Sequence, residues 1–216
     1  MLVVLMAALG TLRDHVGASA WALAVFAFGF ALAFPVVKLQ VKSLLAFPMW
    51  LVRLARRYLR PEINPVALCT FIFAFNTAAI FVYMISGGLV YLPIVFDLFT
   101  GLNVGIIMLT DSAEPAPGWS DEADAVQPPR AWIGFLSIFV VVVELAAFWL
   151  AIGMGITLGH AMAADFSRAT FAAAVGPRLL AYLAIIVPAL AASAAAETAA
   201  IKAMLRPGGP EPPAEL

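Results

Sequence analysis

The stretch AWIGFLSIFVVVVELAAFWLAIGMGITLG, residues 131 to 159, carries a single ionisable side chain, Glu144, in an otherwise apolar run. At about 1.5 Å per helical residue it outruns the roughly 30 Å hydrocarbon core of a bilayer by a turn or two. As a helix it therefore crosses a membrane, and it must tilt, kink or contain a broken piece. Before it lies the polar segment from Asp111 to Arg130, with Pro115, Pro117, Gly118, Pro128 and Pro129, which resists helix and reads as a loop. The run from Pro65 to Thr110 is too long for one crossing, and Ser86-Gly87-Gly88 divides it into a tight transmembrane hairpin with spans at 65–86 and 89–110. From Val16 to Val37 no charge appears, which makes a first span ending at Lys38. A last span runs from about Leu179 to Met204, followed by a Pro/Gly-rich tail, 205–216, expected to be disordered. The expected architecture is all-α: a polytopic bundle of about five spans, with residues 1–204 forming a single transmembrane domain.

Composition agrees. Hydrophobic residues make up 64% of the 216 residues and charged residues 12%, against about 45 to 50% and about 25% in soluble domains. The formal net charge of −1 offers no basic excess for nucleic acid. Cys69, the one cysteine, has no partner for an internal disulfide. The apolar start, Met1 to Leu12, lacks a positive leader and runs into Arg13, Asp14 and His15, so it reads as an uncleaved lead-in.

Lys38, Lys42, Arg53, Arg56, Arg57, Arg60, Arg130, Lys202 and Arg206 fall on one side of the predicted topology, and only Arg13, Arg168 and Arg178 on the other. Cytoplasmic loops retain the positive excess, so the expected arrangement is a multi-pass cytoplasmic (inner) membrane protein with its N-terminus outside and its C-terminus inside. Between the first two spans, Arg53, Arg56, Arg57 and Arg60 share one helical face, and Met49, Trp50, Leu51, Leu54, Tyr58 and Leu59 occupy the others. That is the makeup of a basic amphipathic helix in the headgroup region, started by Pro48, which serves either to dock lipid or a partner or simply as a surface elbow that fixes topology.

Polar groups are costly in hydrocarbon, so Asn76, Asp97, Glu144 and Glu197 are the site candidates. Ala147, Ala151, Gly155 and Gly159 follow Glu144 on one stripe, Gly101 and Gly105 follow Asp97, and Ala189, Ser193, Ala196 and Ala200 flank Glu197. Each stripe should face another helix. No Lys or Arg accompanies Glu144 within the apolar spans, so a neutral, hydrogen-bond-donating Glu144 is expected. These carboxyls either form part of a proton or ion path or make interhelical hydrogen bonds of roughly 1 kcal/mol each, and the second reading is the plainer one. Catalytic and metal motifs such as GxSxG, the P-loop, HExxH and CxxC are missing, and His15 and His160 fall at predicted outer edges rather than in a ligand cluster. No cofactor or metal is expected.

Taken in order, the polar positions resemble a family. Phe75-Asn76-Thr77-Ala78-Ala79 lies in the second span, and Gly101-Leu102-Asn103-Val104-Gly105 closes the hairpin. Glu144-Leu145-Ala146-Ala147-Phe148-Trp149-Leu150-Ala151 runs into Gly153-Met154-Gly155-Ile156-Thr157-Leu158-Gly159, and Pro188-Ala189-Leu190-Ala191-Ala192 precedes Glu197. This order is similar to that of the stage II sporulation protein M family over residues 65–204. The family commonly has Pro-His-Gly before its Glu-Leu pair, where this chain has Phe139, Val140 and Val141, and Glu197 falls a few residues beyond the family spacing. The resemblance implies a multi-span partner of envelope enzymes and no catalytic residues; Asn76, Asn103, Glu144 and Glu197 enter as motif positions.

Three readings follow. The first is a non-enzymatic membrane subunit that anchors or organises a multiprotein envelope complex, with the lipid bilayer and other membrane proteins, or a second copy, as partners. The second is a transporter or permease-like subunit using Glu144, Asp97 and Glu197. The third, an intramembrane enzyme, lacks a visible nucleophile and base.

Overall fold

A computed structural model describes residues 2–58, 63–111 and 131–204. All regular structure in them is helical, and five helices are long and apolar enough to cross a membrane. The chain is a multi-pass helical membrane bundle. The elements are α1 (Leu2–Asp14), α2 (Val16–Lys38), α3 (Lys42–Tyr58), α4 (Pro65–Ile85), α5 (Leu92–Asp111), α6 (Ala131–Ala164), α7 (Arg168–Ala181) and α8 (Val187–Met204). A 3₁₀ turn, Ser86–Leu89, joins α4 to α5, and a π turn, Tyr182–Ile186, makes α7 and α8 one continuous rod. Residues 112–130, Arg60 and the 205–216 tail lie outside the described residues, as do the side chains of Arg56 and Arg57.

The helix ends follow from local chemistry. Asn64 caps α4 by accepting from the Val66 N–H at 2.8 Å, and Pro65 occupies the first helical position, where its missing N–H costs nothing. α2 closes in a Schellman motif: Val41 N–H bonds Val36 O at 3.1 Å and Gln40 N–H bonds Val37 O at 3.2 Å, with Gln40 left-handed at φ 50°. Ser167 accepts from the Thr170 N–H at 3.1 Å to start α7, and Asp165 accepts from the hydroxyls of Ser167 and Thr170. Those two bonds hold the exposed Asp165 carboxyl below its ordinary range.

Two expectations change, and one open alternative closes. The fifth span starts at Arg168 rather than near 179, because the Ser167 cap begins a helix that Pro177 does not break, so Arg178 sits within the span rather than in an outer loop. The segment from 131 runs unbroken to Ala164. At 34 residues it is about 50 Å long, well beyond one perpendicular crossing. Pro48 lies buried inside α3, which begins at Lys42 on bonds from Leu44 and Leu45 N–H to Val41 O. Leu44 and Leu45 pack with Val36, Ile106 and Leu109, so the start of α3 is seated against α2 and α5.

The largest interface joins α2 to α5, and glycine makes it possible. A methyl group on Gly29 would strike the Leu98 carbonyl, one on Gly101 the Phe26 carbonyl, and one on Gly105 the Ala33 side chain. Phe26 and Gly29 meet the 98–102 turn of α5, Phe30 and Ala33 meet Gly105 a turn further on, and Val36 packs with Ile106, so the two helices run parallel with their backbones nearly touching. Gly101 and Gly105 thus lie mid-helix and serve this seam; the hairpin itself closes at the Ser86–Leu89 turn. There the left-handed Val90, at φ 55°, places its carbonyl where a side chain on Gly159 would go, and Gly87 fits against the Gly155 carbonyl and Leu158. The stripe running from Ala147 to Gly159 therefore faces α4, the hairpin turn and the α7–α8 rod.

Gly101→Ala should lower the stability of the protein in detergent by about 1–3 kcal/mol, the usual cost of overpacking. Gly134→Ala, whose added methyl meets nothing within 4 Å, should be nearly neutral. Equal effects in denaturant titrations would contradict the backbone seam.

Candidate functional site

Three spans meet at one carboxyl. Asn76 on α4 donates its side-chain amide to Glu144 Oε1 at 2.7 Å, and Ser193 on α8 donates its hydroxyl to the same oxygen at 3.1 Å. Each donor is rooted in packed helix: Ser193 is fully buried, and Ile72 and Ile80 flank Asn76 a turn to either side, both turned into the core. Glu144 accepts both bonds through this one oxygen. An acceptor shared by two neutral donors satisfies a polar group that hydrocarbon would leave unpaired. One turn along α8, Glu197 lies near enough to Glu144 for the two carboxyls to repel if both were ionised.

A second bond ties the same elements together: Tyr182 in the π turn donates its hydroxyl to Thr77 O at 2.6 Å. Around these bonds Ile80, Met84, Ala147, Ala151, Met154, Ile186 and Leu190 form the largest buried cluster. The half-buried polar joint thus borders an apolar core between α4, α6 and the last rod.

Asp97 stands apart. Its residue is fully buried on α5, and among the described residues neither carboxylate oxygen has a hydrogen-bond partner. Its surroundings are the seam with α2 and the Tyr83 hydroxyl, which is itself 2.9 Å from Thr100 Oγ1. The structure therefore brings Asn76, Glu144 and Glu197 into one neighbourhood and leaves Asp97 in another. Asn103 is in neither; it lines an apolar groove of about 350 Å³ with Ser43, Leu44, Phe47, Val95, Phe96, Phe99 and Leu102. Arg53 is exposed on α3, its Nε donating to Met49 O at 3.2 Å.

The sequence reading missed a third polar joint. His15, at the corner between α1 and α2, is 7% exposed, and its Nδ1 lies 2.9 Å from Thr157 Oγ1 on α6. Arg178 reaches across from α7 to the same hydroxyl at 3.0 Å, and also to Met154 O at 3.1 Å and Ala174 O. Among the described residues none of its hydrogen bonds goes to a carboxylate. Burial first, and then the Arg178 charge, lower the His15 pKa from the ordinary 6.5 to about 4, with Asp14 opposing. The signal available in the sequence was Arg178 itself, which a helix begun at residue 168 would have carried into the span.

Among the described residues no group of three or more His, Cys, Asp or Glu is placed to hold a metal ion. The polar groups around Glu144 make hydrogen bonds between helices, and their geometry is a clamp that joins α4, α6 and α8. No known family model matches the chain, and comparison with curated proteins and with solved structures finds no match.

The clamp reading separates two substitutions. Glu144→Gln keeps a carbonyl oxygen for Asn76 and Ser193 and should change stability by less than about 1 kcal/mol. Glu144→Leu leaves both donors unpaired and should cost about 1–3 kcal/mol, most of it recovered when Asn76→Leu and Ser193→Ala are added. Unfolding in mixed micelles checks the order; a Gln variant as unstable as the Leu variant would contradict it.

Proposed function

We propose that the chain is a non-enzymatic integral membrane subunit that anchors or organises a multiprotein complex at the cell envelope. The observation that carries the reading is the use made of Glu144: with Asn76 and Ser193 it joins three spans, so the strongest polar position in hydrocarbon is committed to holding the bundle together. Such a bundle is a rigid platform with little soluble mass, and its activity lies in what it holds. The ordered motifs around Asn76, Glu144, Gly155 and Glu197 resemble the stage II sporulation protein M family, which directs the reading to an envelope assembly. The docking element is the basic sequence of α3 and the residues after it, Arg53, Arg56, Arg57 and Arg60, whose charge suits anionic lipid or an acidic partner. The excess of Lys and Arg places that helix and the C-terminus in the cytoplasm and the N-terminus outside.

A second reading has one observation in its favour, the proximity of Glu197 to Glu144 between packed spans. Two carboxyls sharing a protein interior are the ingredients of a proton or cation step, which would make the chain a permease-like subunit.

Gentle detergent extraction of the tagged protein from its native membrane, with mass determination and identification of what accompanies it, separates the two. Stoichiometric partners should co-extract with the wild type and with Glu144→Gln, whose clamp survives. Their recovery should fall severalfold when Arg53, Arg56 and Arg57 are replaced by Glu, which reverses the charge of the docking face. A homo-oligomer alone, unchanged by either substitution, would overturn the complex-subunit reading, and proton-coupled uptake in liposomes that Glu144→Gln abolishes would establish the other.

A further inference from the structure

The α1–α2 corner is built around one hydroxyl. α6 approaches the first turn of α2 so closely that a side chain on Gly153 would meet Ser19 and the His15 carbonyl. That carbonyl accepts from both the backbone N–H and the hydroxyl of Ser19, at 2.9 and 3.0 Å, which fixes the corner's backbone. Above this contact the imidazole and the Arg178 guanidinium converge on Thr157 Oγ1. Among the described residues α1 shows no other polar attachment to the bundle: its Thr11 hydroxyl turns back to Ala7 O within the helix, and Ala8 and Leu12 are its buried residues.

The chemistry of that hydroxyl depends on the state of His15. Arg178 always donates, so it takes one lone pair of Thr157 Oγ1. A neutral imidazole protonated on Nε2 offers Nδ1 as an acceptor, and the Thr157 proton can point to it. A protonated imidazole must donate through Nδ1, which directs two cations at one oxygen and returns the Thr157 proton to Gly153 O or Met154 O. The charged groups around the ring are Arg13 and Asp14 on α1 and Arg178 on α7; α2 contributes none in its first turn, and α6 contributes only His160, exposed one turn beyond Thr157. Asp14 alone can offset the second positive charge, and it is exposed to water.

We infer that the corner is an acid-released latch: proton uptake by His15 breaks the shared contact with Thr157 and Arg178 and frees α1 and the start of α2 from α6 and α7. The sign follows from the ring's preference for the neutral form in the folded corner. The latch is fully closed above the ordinary histidine range and weakens as pH falls from about 6.5 towards 4. α1, whose Leu2, Val3 and Met6 already lie exposed, is the element released.

Amide hydrogen exchange of residues 2–19 in the full chain, held in nanodiscs and corrected for the intrinsic pH dependence, tests this. Opening of α1 should rise on the order of tenfold between pH 7 and pH 5, with α4 and α8 unaffected. His15→Asn places a neutral amide near Nδ1 and should abolish the response. If α1 in the wild type opens no more at pH 5, or if His15→Asn responds as the wild type does, the latch is wrong. Should His15→Asn fail to fold, the His15 ring resonances of the wild type decide: titration well below 6.5 supports the latch, and titration at the ordinary value overturns it.

Discussion

Inside a bilayer the hydrophobic effect does little to bring one helix to another, because lipid tails solvate an apolar side chain as well as a neighbouring leucine does. Association must come from close packing and from polar groups that lipid cannot satisfy. This chain uses both, on different interfaces. The α2–α5 seam is backbone against backbone, permitted by Gly29, Gly101 and Gly105. The α4–α6–α8 joint is polar, with Asn76 and Ser193 converging on Glu144. α6 takes part in both sides of the bundle, with Gly153 against the α2 corner and Ala147, Ala151 and Gly155 against the rest.

The last rod shows how the two devices combine. Tyr182 and Ile186, at either end of the π turn, are buried on the side that meets α4 and α6. A π turn shifts the register of the face by widening one loop of helix. Below it Ser193 faces Glu144, and above it Arg178 faces Thr157. One helix therefore presents polar groups to α6 at two depths, and the turn between them sets their relative rotation.

Much of this was legible in residue order. Apolar runs bounded by Lys38, by Ser86-Gly87-Gly88 and by the polar 111–130 segment located four spans to within a turn at most ends, because hydrocarbon thickness imposes a length that composition reveals. The rarity of carboxyls and amides in those runs marked Asn76 and Glu144 by cost alone. The fifth span was misplaced for the same reason: Arg168 and Arg178 were read as loop charges, since hydropathy does not register a guanidinium that satisfies itself on carbonyls and a hydroxyl.

Sequence by itself determined that the chain spans a membrane as helices, where most of them lie, and which small and polar residues are turned inward, because solvent and length constraints act on each segment separately. Which inward faces meet was a matter for tertiary structure alone. Asp97 and Glu144 carry the same kind of signal, yet one lies beside the α2 seam and the other at the three-helix joint, and the partners of His15 are 142 and 163 positions away. Periodicity assigns a residue to a face of its own helix; the rotation of one helix against the next depends on contacts between segments far apart in the chain, and no local pattern records them.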